Sequence, residues 1–320
     1  MVSPPGRPLV IAHRGASGYL PEHTQQAKAL AYGQGADVLE QDVVATRDGR
    51  LVVLHDLFLE RVSDVARRYP GRARADGHWY ARDFTLAELR GLAVTERLSA
   101  AGDAAAFPGR FPPWQGEFRL HALEDELALL RGLNATTGRE VGAYPEIKCP
   151  AWHREAGIDL GVLLAETLEA ELAARGPLPL WLQCFDPAEL RRLHAQGFRL
   201  PMTQLIGRVP AEQGDWAGQD PLSTAGLAVL ARHCSAIGPW LGHVWRDGRD
   251  TGLVARAHEV GLAVHPWTLR RDRLPEGCQD AEALVAQLCH DIGVDGLFTD
   301  HPDLVVRARA RVGERTGALD

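Results

Sequence analysis

Apolar and polar positions along this chain follow two periods, and the switches between them mark out its elements. Short apolar runs recur, each followed by a longer stretch in which apolar side chains return at helical spacing. The runs centre on Val10, Val38, Val141, Trp181, Met202, Ile237, Val264 and Leu297, which makes eight strands. Helices are predicted at Ala27–Gly33, Leu123–Gly132, Leu160–Leu172, Leu227–His233, Thr251–Val260 and Ala281–Cys289, with two more starting at Asp186-Pro187 and at Asp300. Thr24 suits the N-cap of the first, and Asp186 and Asp300 those of the helices opened by Pro187 and Pro302. Repeated strand-then-helix units form a parallel sheet with right-handed crossovers, and eight of them close into an α/β TIM (β/α)8 barrel.

Two stretches break the alternation. Asp48-Gly49 is a turn signal between Val43-Val44 and Leu51–Leu54, which predicts a hairpin-like extension of the second strand. From Leu57 to Phe118 strand and helix no longer alternate, and Arg, Asp, Gly and Pro are frequent. Only one short helix, within Phe84–Leu92, is legible there. So long a stretch without regular elements reads as a small inserted subdomain, 57–118, and not as a loop. Its place just after His55 would set it over the mouth of a barrel, as a lid, a specificity wall or a structural elaboration.

Composition supports one large core. The chain has 320 residues, 45% of them hydrophobic, and is read as a single domain, 1–320. Its net charge is −7 with a pI near 6.0 and no basic stripe, which argues against a nucleic-acid partner. No apolar run approaches the roughly 20 residues that span a bilayer, so stable membrane insertion is not expected. The first residues lead directly into a strand without a leader, which places the chain as written in the cytoplasm, or in the periplasm if a leader was removed. The five cysteines, Cys149, Cys184, Cys234, Cys278 and Cys289, are scattered without a CxxC pair and read as buried free thiols.

The candidate chemistry gathers at strand ends. Side chains on a strand alternate between faces, so Glu40 and Asp42 share one face and Gln41 takes the other. Two carboxylates so close resist joint ionisation unless a divalent cation sits between them. His13 and His55 each end an apolar run and fit a general acid and a general base. Arg14 offers a planar fork suited to phosphate. Glu146 and Lys148 share a face in the third strand, as a metal ligand beside a phosphate contact, or with Lys148 merely neutralising Glu146. Trp267 and Phe185 end later strands and could wall an alcohol group. His265 is read as structural, and His23 and His301 as loop or cap residues.

These residues together resemble the glycerophosphodiester phosphodiesterase family. The likeness is carried by His13-Arg14-Gly15, Pro21-Glu22-His23-Thr24, Gly35-Ala36-Asp37, Glu40 with Asp42, Asp48-Gly49, His55-Asp56 and Pro145-Glu146-Ile147-Lys148. It continues through Leu182–Asp186, His265–Thr268 and Gly296–Asp300, and the insertion resembles that of the bacterial periplasmic branch. The resemblance implies a TIM barrel that hydrolyses small-molecule glycerophosphodiesters to sn-glycerol 3-phosphate and an alcohol. It implies a divalent metal ion, Ca2+ in the periplasmic branch and Mg2+ often elsewhere. It implies His13 and His55 as the acid–base pair, Glu40, Asp42 and Glu146 as metal ligands, and Arg14 and Lys148 on the phosphate. The rival readings are a phospholipase of the same barrel type acting on intact lipids and a non-catalytic phosphodiester-binding protein. Oligomeric state is not legible.

Overall fold

The computed structural model describes residues 7–209, 216 and 218–316, with side chains described as far as residue 310. Eight parallel strands form the barrel: β1 Leu9–Ala12, β2 Val38–Ala45, β4 Gly142–Ile147, β5 Leu182–Cys184, β6 Met202–Ile206, β7 Ala236–Pro239, β10 Ala263–Val264 and β11 Gly296–Thr299. They neighbour one another in the order β10-β7-β6-β5-β4-β2-β1-β11. The ring closes between its end strands through backbone hydrogen bonds, Asp295 N to Val264 O at 3.0 Å and Phe298 N to Pro266 O at 3.0 Å. The predicted hairpin is present, with β3 Leu51–Val53 antiparallel to β2. A small ribbon, β8 Trp245–Arg246 with β9 Arg249–Asp250, lies outside the barrel.

Helices coat the strands: α1 Gln25–Gly33, α4 Leu123–Thr137, α6 Leu160–Arg175, α7 Pro187–Ala195, α8 Thr224–Leu230, α9 Leu253–Glu259, α10 Ala281–Ala286 and α11 Pro302–Thr316, with a short α5 Pro150–Glu155. Thr24 caps α1 by accepting from Ala27 N, and Asp186 caps α7 by accepting from Ala188 N. No helix among the described residues is long and apolar enough to cross a membrane. Two predicted strands come out shorter. The run through Leu178–Phe185 keeps only Leu182–Cys184, because Pro177 and Pro179 have no N–H to offer a ladder. The run Leu262–Thr268 keeps only Ala263–Val264, since Pro266 interrupts it; His265 N and Trp267 N still reach Ile237 O and Pro239 O. All five cysteines are free; of those expected buried, Cys149, just ahead of α5, is exposed and Cys278 is only partly buried.

Two apolar layers result. The larger packs strand residues such as Leu39, Val43 and Ile237 against Leu127, Leu164 and Leu227 of the helices. Inside the barrel, Ile11, Val38, Tyr144, Trp181 and Phe298 form an apolar plug, with Trp267 packed against it. All eight positions of β2 are buried, so one face meets this interior and the other meets the helices. The polar side chains that follow the plug along each strand therefore emerge at the carboxyl end of the barrel, where this fold places its chemistry.

The segment 57–118 holds only short elements, chiefly α2 Val65–Arg68 and α3 Leu86–Arg90. Thr85 and Glu88 close a capping box on α3. A separate core of Leu59, Val62, Phe84, Leu89, Leu92 and Phe118 packs onto Val44 and Val52 of the β2–β3 hairpin. Burying each large side chain here contributes about 1.5–3 kcal/mol. The segment is thus anchored on the strand pair that carries Glu40, Asp42 and His55.

Candidate active site

The register between β2 and β4 sets Glu40 opposite Tyr144 and Asp42 opposite Glu146. Alternation turns all of these inward. Gln41 turns outward, where its amide donates to Glu126 Oε1 at 2.7 Å. Asp42 gathers two cations and an imidazole: Lys148 Nζ at 3.3 Å, Arg14 Nε at 3.4 Å and His23 Nε2 at 2.7 Å. Glu40 accepts from the Arg14 backbone N–H at 2.6 Å. Lys148 donates to Glu146 at 2.7 Å, so this lysine serves both Glu146 and Asp42.

Crowding of these carboxyls shows in their acidity. Burial, and then the charge of Asp42, push Glu40 well above the usual carboxylate range. Burial pushes Glu146 up to about 8, against the pull of Lys148. Burial works on Asp42 as well, but Lys148, His55, His23 and Arg14 outweigh it and hold Asp42 well below that range. The site is therefore short of positive charge, the condition a divalent cation relieves. One ligand atom each from His23, Glu40 and Asp42 lie within 4.8 Å of one another. Two buried atoms beside them, Gln183 Oε1 and His23 Nδ1, have no hydrogen-bond partner. An oxygen-rich donor set of this kind fits a hard divalent cation.

The two histidines are braced alike. His13 follows β1, and its Nδ1 lies 2.6 Å from Asp300 Oδ1. His55 follows β3, and its Nδ1 lies 2.5 Å from Asp56 Oδ1. With Nδ1 engaged, Nε2 is left for proton transfer. Burial and then Arg14 lower His13 to about 4; burial, Arg14 and Lys148 lower His55 to about 3. Both rings are thus neutral at pH 7, and a run of contacts from Asp56 through Arg97 and Glu22 to Arg14 joins the brace of His55 to the residue beside His13.

Several side chains do other work than the sequence suggests. Asp300 is no helix cap; its carboxylate turns to His13, and Thr299 Oγ1 accepts from His301 N instead. His23, expected in a loop or cap role, is a buried loop residue with its ring on Asp42. Arg14 Nη1 donates to both carboxylate oxygens of Glu22, at 3.1 and 3.0 Å. The tight loop after β1 that presents Arg14 depends on Gly15, at φ +84°, where a Cβ would meet the Ala27 backbone at 2.8 Å. Behind β2, fully buried Lys28 donates to the Glu40 carbonyl and pairs with Glu126 at 2.8 Å. Trp267 donates to Gly238 O at 2.8 Å and meets Phe185 edge-on at 5.5 Å between centroids. His265 is buried, with Nδ1 3.0 Å from the Tyr144 hydroxyl.

Comparison with known proteins places this arrangement. The profile of the glycerophosphoryl diester phosphodiesterase family matches residues 13–304. A glycerophosphodiester phosphodiesterase of Haemophilus influenzae is 38% identical over 92% of this chain and 88% of its own length. One from Treponema pallidum is 34% identical, over 93% and 91%. Among solved structures, a putative glycerophosphoryl diester phosphodiesterase of Silicibacter pomeroyi superposes with a TM-score of 0.73 at 25% identity, covering 98% of this chain and 96% of that one. This chain belongs to the glycerophosphoryl diester phosphodiesterase family of enzymes.

Proposed function

We propose that the protein hydrolyses glycerophosphodiesters such as glycerophosphocholine and glycerophosphoethanolamine to sn-glycerol 3-phosphate and an alcohol, with a divalent metal ion. The observation that carries this reading is the convergence of Glu40, Asp42 and Glu146 with Arg14, Lys148 and two carboxylate-braced histidines at one barrel mouth. His13 and His55 act as the acid–base pair. One takes the proton of the attacking oxygen, water or the glycerol 2-hydroxyl, and the other gives a proton to the leaving alcohol; attack by the 2-hydroxyl leaves a cyclic phosphate, which water then opens to sn-glycerol 3-phosphate. Arg14 and Lys148 hold the phosphate oxygens. Glu40, Asp42 and Glu146, joined by His23, would hold Ca2+ or Mg2+. When bound, the ion neutralises charge that builds on the phosphoryl oxygens. Trp267 with Phe185 walls the alcohol side, and the segment 57–118 covers the mouth.

The test is release of glycerol 3-phosphate from both glycerophosphodiesters with Ca2+, with Mg2+ and with chelator, beside phosphatidylcholine vesicles as a separate arm. Turnover of the small diesters that stops on chelation supports the reading. Turnover of vesicles alone, or activity untouched by chelator, refutes it.

A further inference from the structure

We propose that Arg97 and Arg110, both from the segment 57–118, are positioning residues for the acid–base pair, one for each histidine. The proposal rests on the reading of His13 and His55 given above. A carboxylate on Nδ1 fixes the tautomer and tilt of an imidazole only if the carboxylate is itself held. The two histidines show the same solution. Asp56 gives Oδ1 to His55 and Oδ2 to Arg97 Nη1, at 2.6 Å. Asp300 gives Oδ1 to His13 and Oδ2 to Arg110 Nη2, at 2.8 Å. Each carboxylate is split in the same way, one oxygen to the ring and one to an arginine of the segment.

Both guanidiniums are built in. Their side chains are only 7% and 5% exposed. Arg97 also places Nε and Nη2 on Glu22, at 2.9 and 2.5 Å. Arg110 also forks onto Asp272, at 2.7 and 3.1 Å, donates to Ser17 O at 3.1 Å, and stacks over Phe107 at 3.9 Å. Paired, desolvated guanidinium forks of this kind hold a carboxylate in one orientation, which a lysine cannot reproduce. The charged groups acting on the rings are Asp56, Asp42, Arg14 and Lys148 for His55, and Asp300, Arg14 and Arg270 for His13.

The arginines are not equivalent. Arg97 holds Glu22, which in turn holds Arg14 through Nη1, so its loss disturbs the proposed phosphate contact as well as His55. Arg110 touches no phosphate group's holder, and Asp300 keeps a second partner in Arg270 Nε at 2.8 Å. Losing Arg97 should therefore lower kcat and raise KM. Losing Arg110 should lower kcat alone, and by less.

The test uses the full chain, metal-loaded, as Arg97→Met, Arg97→Lys, Arg110→Met and Arg110→Lys. Kinetics with glycerophosphocholine are combined with proton NMR of the histidine Nδ1–H signals, assigned with His13→Gln and His55→Gln. Arg97→Met should cost about 10- to 100-fold in kcat and shift or abolish the His55 signal while sparing that of His13. Arg110→Met should do the converse, and the Lys variants should fall between wild type and Met. Wild-type kcat, or unmoved signals, in the Met variants overturns the proposal. If Arg97→Met does not fold, Arg97→Lys decides: it keeps the charge but forfeits the fork across Asp56 and Glu22, and an unchanged kcat overturns the proposal. An active His55→Gln would refute the acid–base reading instead. An inactive His55→Gln beside a fully active Arg97→Met refutes only the positioning.

Discussion

The barrel strands and the segment 57–118 meet at one mouth but are made in different ways. β2 and β4 run side by side over six registered pairs, from Val38–Gly142 to Val43–Ile147, and hold Glu40, Asp42 and Glu146 on one shared ladder. The segment has no barrel strand, and its longest helix, α3, has five residues. It is held by its own small core and by isolated bridges such as Ser63–Val94 and Val94–Phe118. The strands deliver the groups we assign to the reaction; the irregular segment delivers guanidiniums that brace them. Ladder pairing fixes a side chain closely from two neighbours, whereas a loop can reach across the mouth to tie separate strands together.

The largest effect expected is on the strand side of this contrast. His13→Gln and His55→Gln should each cost about 10²- to 10⁴-fold in kcat with Tm near wild type. Steady-state kinetics beside thermal unfolding decide it, and turnover close to wild type in either variant would remove that histidine from the mechanism. Next comes the core of the segment. Phe84 is fully buried there, and Phe84→Ala should cost about 3–5 kcal/mol. If the segment braces the histidines, kcat should fall in this variant well below its melting temperature. Leu164→Ala, in the barrel core, should cost about 2–5 kcal/mol yet leave kcat near wild type below its melting temperature. Equal activity losses in both would erase the distinction drawn above.

The smallest effect concerns Glu96, beside Arg97. It is buried, its Oε2 has no hydrogen-bond partner, and burial, then the charge of Glu22, raise it to about 8. A carboxyl raised in the folded state keeps its proton where the unfolded chain has lost it. Its stabilising contribution is present at acid pH and is lost as pH rises from the ordinary carboxylate range through about 8. Glu96→Gln should therefore gain stability over wild type increasingly between those limits, by at most about 1.4 kcal/mol per pH unit. Denaturant unfolding at pH 5 and pH 8 measures it; a gain that does not grow with pH counts against the buried, protonated carboxyl.

Much of this was legible beforehand because strand periodicity is strict. Glu40, Asp42 and Gln41 took their faces as a period of two requires, and Thr24 and Asp186 capped the helices they precede. Partners that depend on the approach of distant loops were not legible. Asp300 looked like a cap because Pro302 follows it, yet its carboxylate goes to His13, 287 positions away. Nothing local in Lys28 announces a fully buried ammonium under the Glu40 carbonyl, nor in His23 a ring on Asp42.

By itself, the sequence determined the eight-unit alternation, the hairpin, the break at 57–118 and the acidic and imidazole residues at the strand ends, all consequences of local spacing. Only tertiary structure decided which carboxylate orients which ring, which arginines hold those carboxylates, and which cations gather on Asp42. Those outcomes depend on burial and on charges brought together across the chain, and apart from His55 with its neighbour Asp56 the partners share no short window of sequence.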